Sequence, residues 1–328
     1  MSAAILSKLL AIMATVALGY VTGRMRWLGD ERADPARVLS AAAFYIFVPA
    51  LLFRTTTRID LSALPWRILL AYFIPTLALA LSVYAAMHWQ RRRHPALDVA
   101  MPSVRAISAT YGNNVQLGIP MAAALFGEAG LGLHLMLISV HALILLSMLT
   151  ALVELDLARD KARQHPAAGL QATLRTTVRN TVIHPVVLPV LLGLCWNAAG
   201  LGLPEVLDEA LKLLGTAVVP LCLVLIGLSL AYYGVRGQVR GALGASLLKL
   251  LVLPGLVLLV AHWAFGLAGL PLSVLVLAAA APVGTNALIF AQRYRSLEAE
   301  ATAAIVFSTL AYMLAASMWL WVLGHFLG

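Results

Sequence analysis

Ten apolar runs of about 20 residues, each long enough to cross a bilayer as a helix, take up most of this chain: 4–23, 37–56, 65–89, 104–125, 131–155, 179–199, 205–232, 239–263, 271–292 and 297–324. In hydrocarbon every backbone amide and carbonyl must be paired, either inside a helix or around a closed barrel. Runs of this length, parted by short polar clusters, predict an all-α polytopic membrane protein. Composition agrees, with 62% of the 328 residues apolar and 11% charged, against roughly 25% charged in soluble domains. The longest polar stretch, Glu154 to Asn180, predicts a basic linker at 157–178 between a five-helix unit at 1–156 and a second at 179–328.

Lysine and arginine crowd alternate loops: Arg24, Arg26, Arg32 and Arg37, then Arg91, Arg92, Arg93 and Arg105, the linker with Arg159, Lys161, Arg163, Arg175 and Arg179, then Arg236 and Arg240, then Arg293 and Arg295. The other loops hold little beyond Arg54, Arg58, Arg67 and Lys212. The positive-inside rule therefore predicts a cytoplasmic linker with both termini on the far side, and the short linker fits a bacterial inner membrane. The first run is followed by arginines and not by a small-residue cleavage site, which reads as a retained helix. The formal charge of +9 is this loop excess; the basic residues lack the interleaved aromatics of a nucleic-acid surface. Trp27, Trp66, Trp89, Trp196, Trp263 and Trp321 fall near segment ends, as in an interfacial belt. Cys195 and Cys222 lie inside apolar runs with no metal spacing, and read as free packing residues. The chain has no phosphate-cradling glycine loop, zinc-binding His-Glu-x-x-His pair or nucleophile elbow. These features predict neither an enzyme nor a bound cofactor or metal.

Five is odd, so a five-segment repeat must insert its second copy upside down. The two halves echo each other in order: "ALGYVTG" and "LLGLCWNAAG", Pro49 and Pro220, Pro75 and Pro254, and finally "TYGNNVQLGIP" (Thr110 to Pro120) and "AAPVGTNALIFAQRY" (Ala280 to Tyr294). The last pair is the most informative. Gly112, Gly118 and Pro120 in one, and Pro282 and Gly284 in the other, predict broken helices, which a bilayer tolerates only where protein or a cavity covers the break. Half-helix ends expose amides with partial positive charge. Asn113, Asn114 and Gln116, with Thr285 and Asn286, add neutral donors suited to a carboxylate; alternatively, these amides serve only the broken backbone.

"GNNVQLGIP", "APVGTNA", "VPLCLVLIGLSL" and "LKLLVLP" resemble the auxin efflux carrier family, within the bile-acid/auxin-type transporter superfamily. That family includes bacterial malonate-permease-like and plant PIN-formed carriers, and the similarity runs over essentially the whole chain. It implies ten transmembrane helices as two inverted five-helix repeats, with broken segments four and nine crossing. It implies a scaffold of segments one, two, six and seven that can form a homodimer, beside a core that moves as an elevator. It also implies a small organic anion as partner, a monocarboxylate or a dicarboxylate such as malonate, carried within membrane lipid. His184-Pro185 stands where the family has Asn-Pro. A sodium-coupled symporter of the bile-acid type and a non-transporting anion sensor are the alternatives.

Three further residues carry expectations. Lys249 lies some ten residues into segment eight, as a coupling or charge-pairing cation or as a lysine reaching headgroups. His134 and His141, seven apart on one helix face, can relay protons or simply serve the bundle. Glu154 and Asp156 are expected as solvated caps to the linker.

Overall fold

The computed structural model describes residues 3–29, 34–58, 65–164, 183, 185, 187–233 and 239–327. The described residues are helical, without strands. In chain order the helices are α1 (Ala3–Arg24), α2 (Pro35–Thr57), α3 (Trp66–Arg93), α4 (Met101–Thr110), α5 (119–126), α6 (128–164), α7 (Val187–Ala198), α8 (Glu205–Tyr233), α9 (Val239–Ala264), α10 (Gly269–Ala280), α11 (Asn286–Arg293) and α12 (Glu298–Leu327). Among the described residues, six helices are long and apolar enough to cross a membrane: Pro35–Thr57, Trp66–Arg93, Met121–Asp160, Glu205–Tyr232, Val239–Ala264 and Glu298–Gly324. α7 and α10 are apolar but shorter.

Two of the apolar runs are not single helices. Run 104–125 is α4, an interruption at 111–113, a π turn at Asn114–Gly118 and then α5; run 271–292 is α10, an interruption and α11. The interruption precedes Pro120, which sits in the first turn of α5. A first-turn amide has no intrahelical partner, so proline starts this half-helix at no cost. α5 is parted from α6 at Gly127, whose φ of 62° is open to glycine without strain.

The helices fall into two packed groups. α1, α2, α7 and α8 form one; α3 to α6 and α9 to α12 form the other. α1 and α8 meet backbone to backbone, because Gly19 lies against Val224 and Gly227 against Val16 and Tyr20. Small residues allow that approach where dispersion, not water, drives association. π turns at Ala43–Phe47 and Leu248–Val252 immediately precede Pro49 and Pro254, where a wider turn relieves the clash of the proline ring with the carbonyl behind it. Trp27, Trp66, Trp89, Trp263 and Trp321 are exposed on the outer surface near helix ends.

Glu154 and Asp156 are not solvated caps. α6 continues to Gln164, past the expected start of the linker, so both residues are interior to the helix. Asp156 is 3% exposed and accepts from the Tyr84 hydroxyl at 2.9 Å, tying α6 to α3. Glu154 accepts from the Tyr294 hydroxyl at 3.0 Å. At the same end Arg105 of α4 makes a two-pronged pair with Glu300 of α12, 2.9 Å on each prong, and Arg37 of α2 reaches Glu298 at 2.9 Å. Cys195 and Cys222 are free thiols. His184 and linker residues 165–178 lie outside the described residues.

Candidate functional site

The two interruptions are paired with each other. Gly112 and Val283 form an antiparallel β-bridge: the Asn113 amide donates to the Pro282 carbonyl at 2.7 Å and the Gly284 amide to the Tyr111 carbonyl at 2.8 Å. The Val283 amide donates to the Ser308 hydroxyl of α12 at 3.0 Å. Each break thereby supplies the partners the other lacks, which is how irregular backbone persists in an apolar interior. Neither Gly112 nor Gly284 has a positive φ, so close approach, not a left-handed conformation, requires glycine here. A methyl on Gly284 would lie 2.7 Å from the Tyr111 ring and 2.9 Å from the Gly112 carbonyl oxygen.

Beside this bridge is a cavity of about 480 Å³. Its walls are mainly apolar side chains of α2, α6 and α8, including Val48, Leu51, Ile138, Leu146 and Val218. Besides Arg54, Thr55, Thr56, Ser139 and His141 of α2 and α6, its polar lining comprises Asn113 and Asn114 from one break and Gly284, Thr285 and Asn286 from the other. The break residues are those that open the π turn and α11. The partial positive charge of both half-helix N-termini is therefore directed at one volume. A second cavity of about 230 Å³, lined by α1, α8 and α12 residues such as Tyr20, Leu223 and Thr309, also touches Asn113. That asparagine is shared by the two.

The site residues named from the sequence differ in their surroundings. Asn286 donates through Nδ2 to the Tyr111 hydroxyl at 2.8 Å. Asn114 is 2% exposed, and neither atom of its amide makes a hydrogen bond, although the Tyr72 hydroxyl lies beside it without a well-formed one. Thr285 is buried against Cys222 of α8. Gln116 falls in the π turn.

Lys249 is wholly buried. Its ammonium donates to the carbonyl of Ala279, in the last turn of α10, and lies close to Gly112. A cation there faces the negative end of a half-helix, behind the bridge and outside the cavity lining, and it does not reach a headgroup. His134 is 2.8 Å through Nε2 from the Asn114 carbonyl, an acceptor at the start of the π turn. His141 lines the cavity. Tyr111 and Arg54 were not singled out by sequence reasoning. Tyr111 belongs to the interrupted motif but reads as an ordinary apolar residue, and Arg54 reads as a loop charge. Arg54 lines the cavity's far end and pairs with Asp208 at 2.9 Å, an aspartate it shares with Arg58 at 2.5 Å.

An all-helical apolar chain with paired helix breaks closing on a polar-floored cavity has the form of a membrane transport protein. The chain belongs to the family described as Membrane transport protein, the auxin efflux carrier family, whose model matches residues 4–320. It is also similar to an uncharacterized transporter of Methanothermobacter thermautotrophicus, 28% identical over 316 residues that cover 94% of this chain and 95% of that one.

Proposed function

We propose that this chain is a secondary carrier that moves a small organic anion by alternating access at the paired breaks. Its ten membrane-crossing segments form two inverted five-helix repeats, and segments four and nine cross where Gly112 meets Val283. The observation that carries the reading is Asn113, which lines both the 480 Å³ cavity and the 230 Å³ cavity. If the basic loops face the cytoplasm, the larger cavity lies in the outer half and the smaller in the inner half. A shift of the α3–α6 and α9–α12 group against α1, α2, α7 and α8 carries the bridge from one to the other.

Neutral amides and half-helix N-termini bind a carboxylate without a permanent charge in the lining of the breaks. The apolar walls suit a hydrocarbon body as well as a compact dicarboxylate such as malonate, because pockets of this size bury most of a small ligand against apolar surface. Lys249 supports a carrier that brings its own cation to the broken helices.

Uptake of labelled malonate and labelled phenylacetate into liposomes holding the purified protein, with and without sodium, tests this. Saturable flux that is independent of sodium and lost in an Asn113→Ala, Asn286→Ala variant is expected. Flux that requires sodium would point instead to a symporter of the bile-acid type. Saturable binding without flux would point to a sensor.

A further inference from the structure

We infer that residues 292–298 form a gate that fastens the two groups of helices together in the half of the protein containing the smaller cavity, and that this grip must release for the paired breaks to pass from the larger cavity to the smaller. The inference rests on the carrier reading above.

The stretch runs from the last turn of α11 into α12, in the group built from α3 to α6 and α9 to α12. It holds the other group at three points. Gln292 donates through Nε2 to the Ser229 hydroxyl of α8 at 3.0 Å. The Arg293 guanidinium lies 5.3 Å from the ring centre of Phe44 and 5.4 Å from that of Tyr45, both in the π turn of α2, within reach of cation–π attraction. Glu298 accepts from Arg37, near the start of α2, at 2.9 Å.

The same helices place this grip away from the larger cavity. On α2 the larger cavity takes residues from Val48 to Thr56, whereas the grip takes Arg37, Phe44 and Tyr45. On α8 Val218 and Val219 line the larger cavity, and Ser229 lies about 15 Å further along the helix, next to Leu230 of the smaller cavity. Toward the other end of α2, Arg54 pairs with Asp208 and Asn197 donates to the Thr57 carbonyl, bonds that stay within one group.

The grip is also built to let go. Gln292 is 3% exposed and Ser229 is fully buried, and Gln292 Oε1 has no hydrogen-bond partner in the protein. A buried acceptor without a partner disfavours the fastened state, and separation of the groups would hydrate it. α11 is eight residues long, from Asn286 to Arg293. One short half-helix thus carries the candidate site at its first residue and the gate at its last two, so the site cannot shift without moving the gate.

The test uses the purified full-length protein in liposomes, with Cys195→Ser leaving Cys222, 1% exposed, as its remaining cysteine. Spin labels at Val38→Cys on α2 and Val239→Cys on α9, both exposed, report the separation of the groups by double electron–electron resonance. Ser229→Ala removes the acceptor for Gln292, and a second distance is expected to gain about tenfold in weight over the native one. Glu298→Gln loosens the grip from the surface and is expected to shift the distances the same way. Ser229→Ala combined with Gln292→Leu strands no amide and is expected to return toward the native distribution. Distances unchanged in both single variants overturn the gate. Separately, Ser229→Cys and Gln292→Cys joined by a short bifunctional methanethiosulfonate are expected to stop flux of labelled malonate and phenylacetate until reductant restores it. Flux that persists in the joined protein also overturns the gate. Distances that shift as expected, with no flux of either anion in the native protein, sustain the gate and overturn the anion reading.

Discussion

The backbone amide of Asn113 donates to the carbonyl of Pro282 at 2.7 Å, joining residues from the two halves of the chain. Together with the return bond from Gly284 to Tyr111, it closes the two helix breaks on each other. It also puts the asparagine side chain between two cavities. The same bond that stabilises the fold therefore aims the site.

The bridge predicts a strict size limit at Gly284. Gly284→Ala forces its methyl against Tyr111 and the Gly112 backbone, and overpacking of that kind costs about 1–3 kcal/mol. The variant is expected to melt lower in detergent and to lose flux. Gly132→Ala, where an added Cβ meets nothing within 4 Å, is the comparison and is expected to leave both readings near native values.

Lys249→Met removes the donor to the Ala279 carbonyl and leaves that group unsatisfied, at a cost of about 1–3 kcal/mol. It also removes a positive charge from behind the bridge. Anion flux is expected to fall at least about tenfold in protein that still folds. Unchanged uptake and unchanged response to pH would take Lys249 out of the mechanism.

Arg54 tests how the anion arrives. Arg54 and Arg58 share a single carboxylate, that of Asp208, leaving positive charge at the cavity's far end. Arg54→Gln is expected to raise KM about three- to tenfold, with the maximal rate little changed and the salt dependence of uptake flattened. A fall in the maximal rate at constant KM would place Arg54 in the moving step.

The pair between Arg105 and Glu300 holds α4 to α12. Arg105→Met strands a carboxylate that is 4% exposed, and breaking one side of such a pair costs about 3 kcal/mol. Thermal melting should show a large drop for the single variant. A smaller drop is expected for Arg105→Met combined with Glu300→Gln, since the second change removes the stranded charge.

The helical class, the six long apolar helices and the two interrupted stretches were legible in the sequence. Each of these is a local property: twenty apolar residues in a row, or asparagine, glycine and proline where lipid should be. Asp156 was misread for the same reason. A carboxylate next to a basic stretch looks solvated until the helix is seen to run on to Gln164 and Tyr84 to meet it. Gly112 and Gly284 drew attention as flexible residues, yet what they supply is room.

Hydrophobicity and breaking residues act along the chain, so the sequence by itself determined that this is a helical membrane protein and where its helices give way. The pairing of Gly112 with Val283, the burial of Lys249 against Ala279 and the unpartnered nitrogens of His141 were decided by tertiary structure alone. They depend on contacts between residues far apart in the chain, and a hydrogen bond forms only when packing brings its donor and acceptor within about 3 Å.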